Sequence, residues 1–178
     1  YQQAKKLGLQ IKTFPEILAE YVIVDKSIVV AGTYGKTTIS AVLVELFKRS
    51  KIDISYMYGG LNINMDQTVK AKTDKTKFSI IEGDEYMTSL EDRNSKFFHY
   101  RTKYLVFHSC QWEHPDLFPT EESYIANFRK FLSILPKDGL IVANANDKNV
   151  VEITKDAECR VVYYSADRMK AYTIPDWY

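Results

Sequence analysis

Ser27-Ile28-Val29-Val30-Ala31-Gly32-Thr33-Tyr34-Gly35-Lys36-Thr37-Thr38 decides the fold of this chain. Ile28 to Ala31 is an apolar run of strand length. A glycine-bearing turn carrying Lys-Thr follows, and from Ile39 the pattern becomes helical. A strand, a tight turn and a helix opening directly out of it make a cradle for phosphate. The turn exposes consecutive backbone N–H groups, and the helix adds the positive end of its dipole. Gly32 and Gly35 let the backbone approach closely and take dihedrals that other residues avoid. Lys36 has the reach for β- and γ-phosphates, and the Thr37 hydroxyl can ligate Mg²⁺. The usual spacing of such loops is GxxxxGK[ST]. Its first glycine position holds Val30 here, so the loop is a shortened G-T-x-G-K-T-T.

Outward from this stretch, Ile54–Tyr58 closes on Gly59-Gly60, and Phe78–Ile81 runs straight into Glu82. Tyr104–Phe107, Leu140–Ala143 and Arg160–Tyr164 read as further strands. The helix after the loop carries Ile39, Val42, Leu43, Leu46 and Phe47 at helical spacing, which predicts its buried face. A second helix starts at an N-cap Thr120, with Glu121 and Glu122 in its first turn. Tyr124, Phe128, Phe131, Leu132 and Leu135 form its apolar face, and Pro136 and Gly139 stop it. A short third helix covers Asp147 to Ile153. The alternation predicts an α/β fold: a mostly parallel sheet with helices on both faces, of the P-loop nucleotide-binding type. Residues 1–25 read as a lead-in from a preceding domain, with one short helix ending at Gly8 and another beginning at Pro15. Residues 26–178 read as the nucleotide-binding domain, incomplete at its C-terminal end. Residues 61–77, with Lys70, Lys72, Lys75 and Lys77, read as a solvated loop or hairpin, and Arg93–Arg101 as a polar, basic-aromatic stretch.

With 178 residues, 46% hydrophobic and 26% charged, the composition is that of an ordinary globular domain. A net charge of +1 argues against a nucleic-acid binder that works through a broad basic field. Cys110 and Cys159 form no C-x-x-C pair and are too few for a disulfide framework, which points to a cytoplasmic compartment. No apolar run reaches the length of a membrane span, and no signal-peptide pattern opens the chain, so no membrane partner is expected. The sequence begins at Tyr1 without Met, and reads as a piece of a longer protein.

Ligands of open parallel sheets bind at the carboxyl ends of the strands. Four polar clusters fall there: Gly32–Thr38, Glu82–Glu85, His108–Asp116 and Asn144–Asp147. Glu82 stands where nucleotide-binding folds place the acid that holds Mg²⁺ or its water, with Asp84 and Glu85 as close alternatives. His108, Cys110 and His114 match no closed zinc pattern, and His99 and His108 read as structural. Asn144 and Asp147 can cap the helix that follows; an Asn amide can equally pair with an adenine edge.

Together these clusters resemble the central, ATP-binding domain of the Mur ligases, bacterial enzymes that join amino acids or peptides to UDP-N-acetylmuramate. Gly32–Thr38 is similar to that family's G-T-x-G-K-T-T loop, Glu82-Gly83-Asp84-Glu85 to its E-A-D-E, Glu113-His114-Pro115-Asp116 to its D-H-x-D, and Asn144-Ala145-Asn146-Asp147 to its N-x-D-D. The segment from Asp92 to Arg101 resembles a D-x-R-S-K-F-x-H-Y-R insert of one branch, the tripeptide-adding murein peptide ligases. The resemblance implies an ATP- and Mg²⁺-dependent amide-forming ligase. It implies that Gly32, Thr33, Gly35, Lys36, Thr37 and Thr38 hold the phosphates, and that Asn144 and Asp147 lie at the nucleotide. It further implies that Thr37, Glu82 and His114 are the metal ligands, with Lys36, Glu82 and His114 as the catalytic set. The implied partners are UDP-N-acetylmuramate and a peptide or amino-acid amine. An L-alanine-adding ligase and a P-loop ATPase without an acceptor are the alternatives. The chain departs from the family pattern at His108-Ser109, where Asn-Asn is usual, and at Tyr34, Gln111, Glu113 and Asn146.

Overall fold

β1 (Ser27–Ala31) is buried along its whole length at the middle of a sheet that has seven strands among the described residues. The computed structural model describes residues 1–60 and 67–166; the expectations for 61–66 and for the chain past 166 lie outside the described residues. In chain order the other strands are β2 (Ile54–Met57), β3 (Val69–Lys70), β4 (Phe78–Glu82), β5 (Thr102–Phe107), β6 (Leu140–Asn144) and β7 (Arg160–Tyr164). Their order across the sheet is β3-β2-β4-β1-β5-β6-β7, and every pairing is parallel except that of the edge strand β3 with β2. The helices are α1 (Gln2–Lys6), α2 (Phe14–Tyr21), α3 (Lys36–Arg49), α4 (Glu121–Ser133) and α5 (Lys148–Thr154), with a 3-10 turn at Lys96–His99. The α/β architecture expected from the alternating pattern is the one observed.

The pleat of β1 sends alternate residues to two cores. Val29 and Ala31 join Ile81, Leu105, Phe107, Ile141 and Ala143 beneath α2, α4 and α5. Ile28 joins Ile54, Tyr56 and Ile80 against Val44 of α3. Helices therefore cover both faces, as near-continuous apolar strands require. The register sets Val30 beside Glu82, and Ala31 beside Phe107, which in turn pairs with Ala143. The strands thus end level, and the residues that follow them meet along one edge.

Several elements differ from expectation. On α3, Val42 and Leu46 are each 53% exposed, and the buried positions are Ser40 and Val44, flanked by Leu43 and Phe47. The helix is apolar on most of its circumference, so periodicity alone does not choose which stripe faces the sheet. The lysine-bearing stretch, by contrast, supplies β3 in an antiparallel pairing with β2, in keeping with the expected hairpin. Lys70 there pairs with Asp53, and Lys72 donates to the carbonyls of Ala19 and Ile23. Within the basic-aromatic stretch Arg93, His99 and Arg101 are exposed while Phe97 and Tyr100 are fully buried, and Phe97 stacks on Phe131 of α4 at 4.2 Å between centroids. The lead-in divides in two. α1 buries no residue, while Leu18, Val22 and Ile23 belong to the main core.

Candidate active site

The turn from β1 to α3 is strapped to the segment after β5. Thr33 N donates to Ser109 O at 3.1 Å, and Tyr34 N to Ser109 Oγ at 2.9 Å. Gly32 has φ +134°, and a Cβ there would lie 2.6 Å from the Ser109 carbonyl oxygen. Gly35 caps α3 with φ +76°, in the left-handed region open to glycine. The N–H groups of Lys36, Thr37 and Thr38 form the first turn of α3, where a helix offers no internal acceptor.

Thr33, expected at the phosphates, faces inward. Its Oγ donates to Gln111 O and accepts from Gln111 N, and the residue is 6% exposed. Side chain and amide are both committed to holding two loops together, because a threonine beside a glycine turn can latch a neighbouring segment as readily as a ligand. Lys36 folds over the turn: its Nζ donates to Gly32 O at 2.7 Å, Thr33 O at 3.2 Å and Glu85 Oε1 at 2.9 Å.

Thr37 and Glu82 are brought together. The Thr37 hydroxyl donates to Glu82 Oε1 at 2.9 Å, and Gly59 N donates to Oε2 at 2.7 Å. His114 does not complete that pair directly. Its Nδ1 lies 3.0 Å from the Tyr86 hydroxyl, and its Nε2 lies 3.3 Å from Glu113 and 3.6 Å from Glu85. The backbone of His114 is left-handed, φ +55°, a conformation unusual for a non-glycine residue that tends to collect at functional positions. Glu85, Glu113 and His114 place one ligand atom each within 4.8 Å of the others. Lys36, Glu82, Glu85 and His114 line one cleft of about 240 Å³, walled by Phe14, Met57, Tyr86 and Tyr100. The expected catalytic trio therefore shares a cavity, whereas the expected metal set is split between two adjacent groups. Glu85 was an alternative to Glu82 as the acid near Mg²⁺, whereas Glu113 had no assigned role; its place beside His114 in one acidic motif was the available signal.

Glu85 is 3% exposed. Burial pushes its carboxyl up to about 7; Lys36 pulls it down and the neighbouring Glu113 pushes it up.

Asn144 and Asp147, expected at the nucleotide, serve the loop framework here, Asp147 as the helix cap that its position also allowed. The Asn144 amide donates to His108 O, and its oxygen accepts from Asn146 N. Asp147 caps α5 through Asn149 N and Val150 N with one oxygen, and accepts from Cys110 N and Gln111 Nε2 with the other. Both side chains are spent on the loop framework rather than left open to a base edge. They still line a separate hollow of about 440 Å³, with Gln111, Asn146, Lys148 and Asn149. His108, Cys110 and His114 form no joint site. His108 pairs with the Tyr164 hydroxyl, and burial pushes the Cys110 thiol up to about 12.

A glycine turn between a central parallel strand and a helix, with acids and a lysine at the strand ends, defines a nucleotide-binding α/β domain. The family model described as the Mur ligase middle domain matches residues 30–176, and the chain belongs to that family. It is similar to UDP-N-acetylmuramate--L-alanyl-gamma-D-glutamyl-meso-2,6-diaminoheptandioate ligase of Haemophilus influenzae, 27% identical over 82% of this chain and 32% of that one. It is also similar to UDP-N-acetylmuramate--L-alanine ligase of Parabacteroides distasonis, 33% identical over 76% of this chain and 28% of that one. Among solved structures it is similar to the UDP-N-acetylmuramate:L-alanyl-gamma-D-glutamyl-meso-diaminopimelate ligase from Neisseria meningitides. That match has a TM-score of 0.79 at 27% identity and covers 91% of this chain and 53% of that one. The chain spans about a third of the length of the curated relatives it matches. Among the described residues, no helix is long and apolar enough to cross a membrane.

Proposed function

We propose that this chain is the ATP-binding domain of a cytoplasmic ligase that joins a peptide or amino-acid amine to the carboxylate of UDP-N-acetylmuramate, in peptidoglycan synthesis or recycling. The observation that carries this reading is the cleft in which Lys36, Glu82 and His114 meet beside the opening turn of α3. In the reaction, a carboxylate oxygen of the acceptor attacks the γ-phosphorus of ATP and ADP leaves. The amine nitrogen then attacks the acyl carbon, phosphate leaves and an amide forms.

Each residue has a part. The N–H groups of Gly35, Lys36, Thr37 and Thr38 face the phosphates, and Gly32 keeps the backbone low enough for the approach. Lys36 exchanges its carbonyl and Glu85 contacts for the β- and γ-phosphate oxygens. Thr37 with Glu82, and separately His114 with Glu85 and Glu113, offer the hard oxygen and imidazole donors that fit Mg²⁺. The cation would supply charge neutralisation where phosphate and carboxylate must approach each other.

The 92–101 segment and the Haemophilus relative support a tripeptide amine, while the Parabacteroides relative supports L-alanine as a second reading. MgATP should raise the melting temperature of this chain, and Lys36→Ala should abolish the rise. No shift in the parent chain overturns the reading. In the full-length ligase, phosphate release on adding tripeptide but not L-alanine selects the first amine, and the reverse selects the second. Release without any acceptor marks a simple P-loop ATPase.

A further inference from the structure

Two carboxylate oxygens in the site face two different partners at once. Glu85 Oε1 lies 2.9 Å from Lys36 Nζ and 3.6 Å from His114 Nε2. Glu113 Oε1 lies 3.9 Å from the same Nζ and 3.3 Å from the same Nε2. The ammonium and the imidazole nitrogen thus converge on one pair of oxygens. Donors that share a small octahedral cation stand about 3 Å apart. The two imidazole–carboxylate distances are close to that spacing, and all three ligand atoms lie within 4.8 Å of one another.

A structural lysine–glutamate bridge needs no third partner, yet His114 adopts a left-handed backbone, φ +55°, at the place where its Nε2 reaches these oxygens. Its other nitrogen, Nδ1, meets the Tyr86 hydroxyl at 3.0 Å, and the two rings meet edge to face at 4.5 Å between centroids. When Nδ1 keeps its proton and donates it to the Tyr86 oxygen, Nε2 turns a lone pair toward the acids. That is how an outer partner orients a metal-binding imidazole. Lys36 is there on looser terms. Its ammonium has three protons, and two of them go to the carbonyls of Gly32 and Thr33. Giving up Glu85 costs it one contact of three and leaves it at the turn, beside the opening of α3.

We propose that Glu85, Glu113 and His114 form a divalent-cation site in which the Lys36 ammonium stands in for the cation in the free protein. Lysine and cation compete for the same two oxygens. Lys36 leaves Glu85 when the cation binds, and its ammonium is then free to turn to an anion at the turn. By reciprocity, an anion that draws Lys36 away tightens the cation. This coupling to phosphate rests on the functional reading above; the competition for the oxygens does not.

The probe is Mn²⁺ alone, without nucleotide, titrated into this chain at pH 8 and followed by the loss of the free-ion electron spin resonance signal. Lys36→Met keeps the length of the side chain and removes its charge. It should bind Mn²⁺ about tenfold more tightly than the parent, the worth of one charge-assisted hydrogen bond that no longer competes. Lys96→Met is the control, because Lys96 pairs with Asp84 instead, and it should leave the affinity unchanged. Glu113→Gln and His114→Ala should each weaken binding by about tenfold or more, since losing even an outer partner of a metal costs that much. A second readout needs no variant: saturating Mn²⁺ should raise the rate at which Lys36 of the parent chain is acetylated, read by peptide mass spectrometry. Equal or weaker binding by Lys36→Met overturns the proposal, as does an equal gain in Lys96→Met, which would mark a general charge effect. Binding that survives Glu113→Gln, or Lys36 reactivity that Mn²⁺ does not change, overturns it as well. A MgATP-dependent melting shift that Lys36→Ala abolishes, with equal Mn²⁺ affinity in the parent and Lys36→Met, overturns the competition and leaves the functional reading standing. The stated Mn²⁺ results without any MgATP shift in the parent overturn the functional reading and the coupling to phosphate, and support the cation site.

Discussion

Gly32 cannot take a side chain without displacing the strap that shapes the turn. A methyl group there would meet backbone atoms of Ser109 at 2.6 and 2.8 Å, and φ of +134° is closed to L side chains. Gly32→Ala should cost about 2 kcal/mol or more in denaturant melts, since backbone cannot yield as a flexible side chain can. It should also remove the MgATP-dependent shift. Gly35→Ala should be milder, because its nearest obstacles are the His108 ring at 3.2 Å and the strain of a left-handed cap. A Gly32→Ala variant as stable as the parent would show that the strap is not rigid. Glu85 carries a second residue-scale prediction. Its folded carboxyl titrates at about 7 against an ordinary value of 4.5, so between these values the folded state holds a proton that the unfolded chain has released. Stability must then fall as pH rises through that window and level off above it, by about 3 kcal/mol at most. Urea melts at pH 5, 6, 7 and 8 should show this slope in the parent and a flatter profile in Glu85→Gln. A parent profile that rises with pH over the same window contradicts the assignment.

At the scale of elements, the segment after β4 is held by aromatic anchoring. Phe97 stacks on Phe131 and meets Phe128 of α4, and α2 packs on the same turn. Phe97→Ala should cost about 3–5 kcal/mol, as truncation of a fully buried aromatic does. Phe97→Leu should recover much of that loss, and equal, small effects of both would show the turn to be loosely docked. This element also marks a limit of what was legible. β1, β4, β6 and the capped α4 could be read from the chain because apolar runs bounded by Gly, Glu and Thr-x-x-Ser carry their own punctuation. The burial of Phe97 and Tyr100 could not, because Asp92, Arg93, Lys96, His99 and Arg101 surround them and hide the anchors in a polar composition. The stripe of α3 was unreadable for the opposite reason, an excess of apolar positions. That Lys36, Thr37 and Glu82 come to one edge was legible because they follow strand ends, whereas His114 was singled out only by the resemblance of Glu113–Asp116 to a family motif. The commitments of Thr33, Asn144 and Asp147 depend on which loop lies next to which, and that is a property of the sheet order rather than of local sequence.

The sheet brings Lys36, Glu82, Glu85 and His114 to one edge, where the proposed function needs them for phosphate and cation, and offers much less for a large acceptor. The cleft of about 240 Å³ is far smaller than a nucleotide sugar and a peptide together, and one of its walls is Phe14 at the start of α2. Beside that wall, Leu7, Leu9, Ile11 and Ile17 are exposed at 67, 59, 40 and 40%. The chain is also about a third of the length of its curated relatives. Amide formation requires three reactants to be held within bonding distance, and most of the rate gain comes from that fixed placement. On the function proposed above, a chain that fixes the triphosphate without the sugar or the amine would supply charge stabilisation without placement. The expected outcome is therefore a separation of binding from turnover. This chain should show a MgATP-dependent rise in melting temperature, lost in Lys36→Ala, yet release no phosphate above background when ATP, UDP-N-acetylmuramate and the tripeptide are all present. Phosphate release by this chain that depends on both acceptor and amine would show instead that the cleft edge alone positions all three reactants.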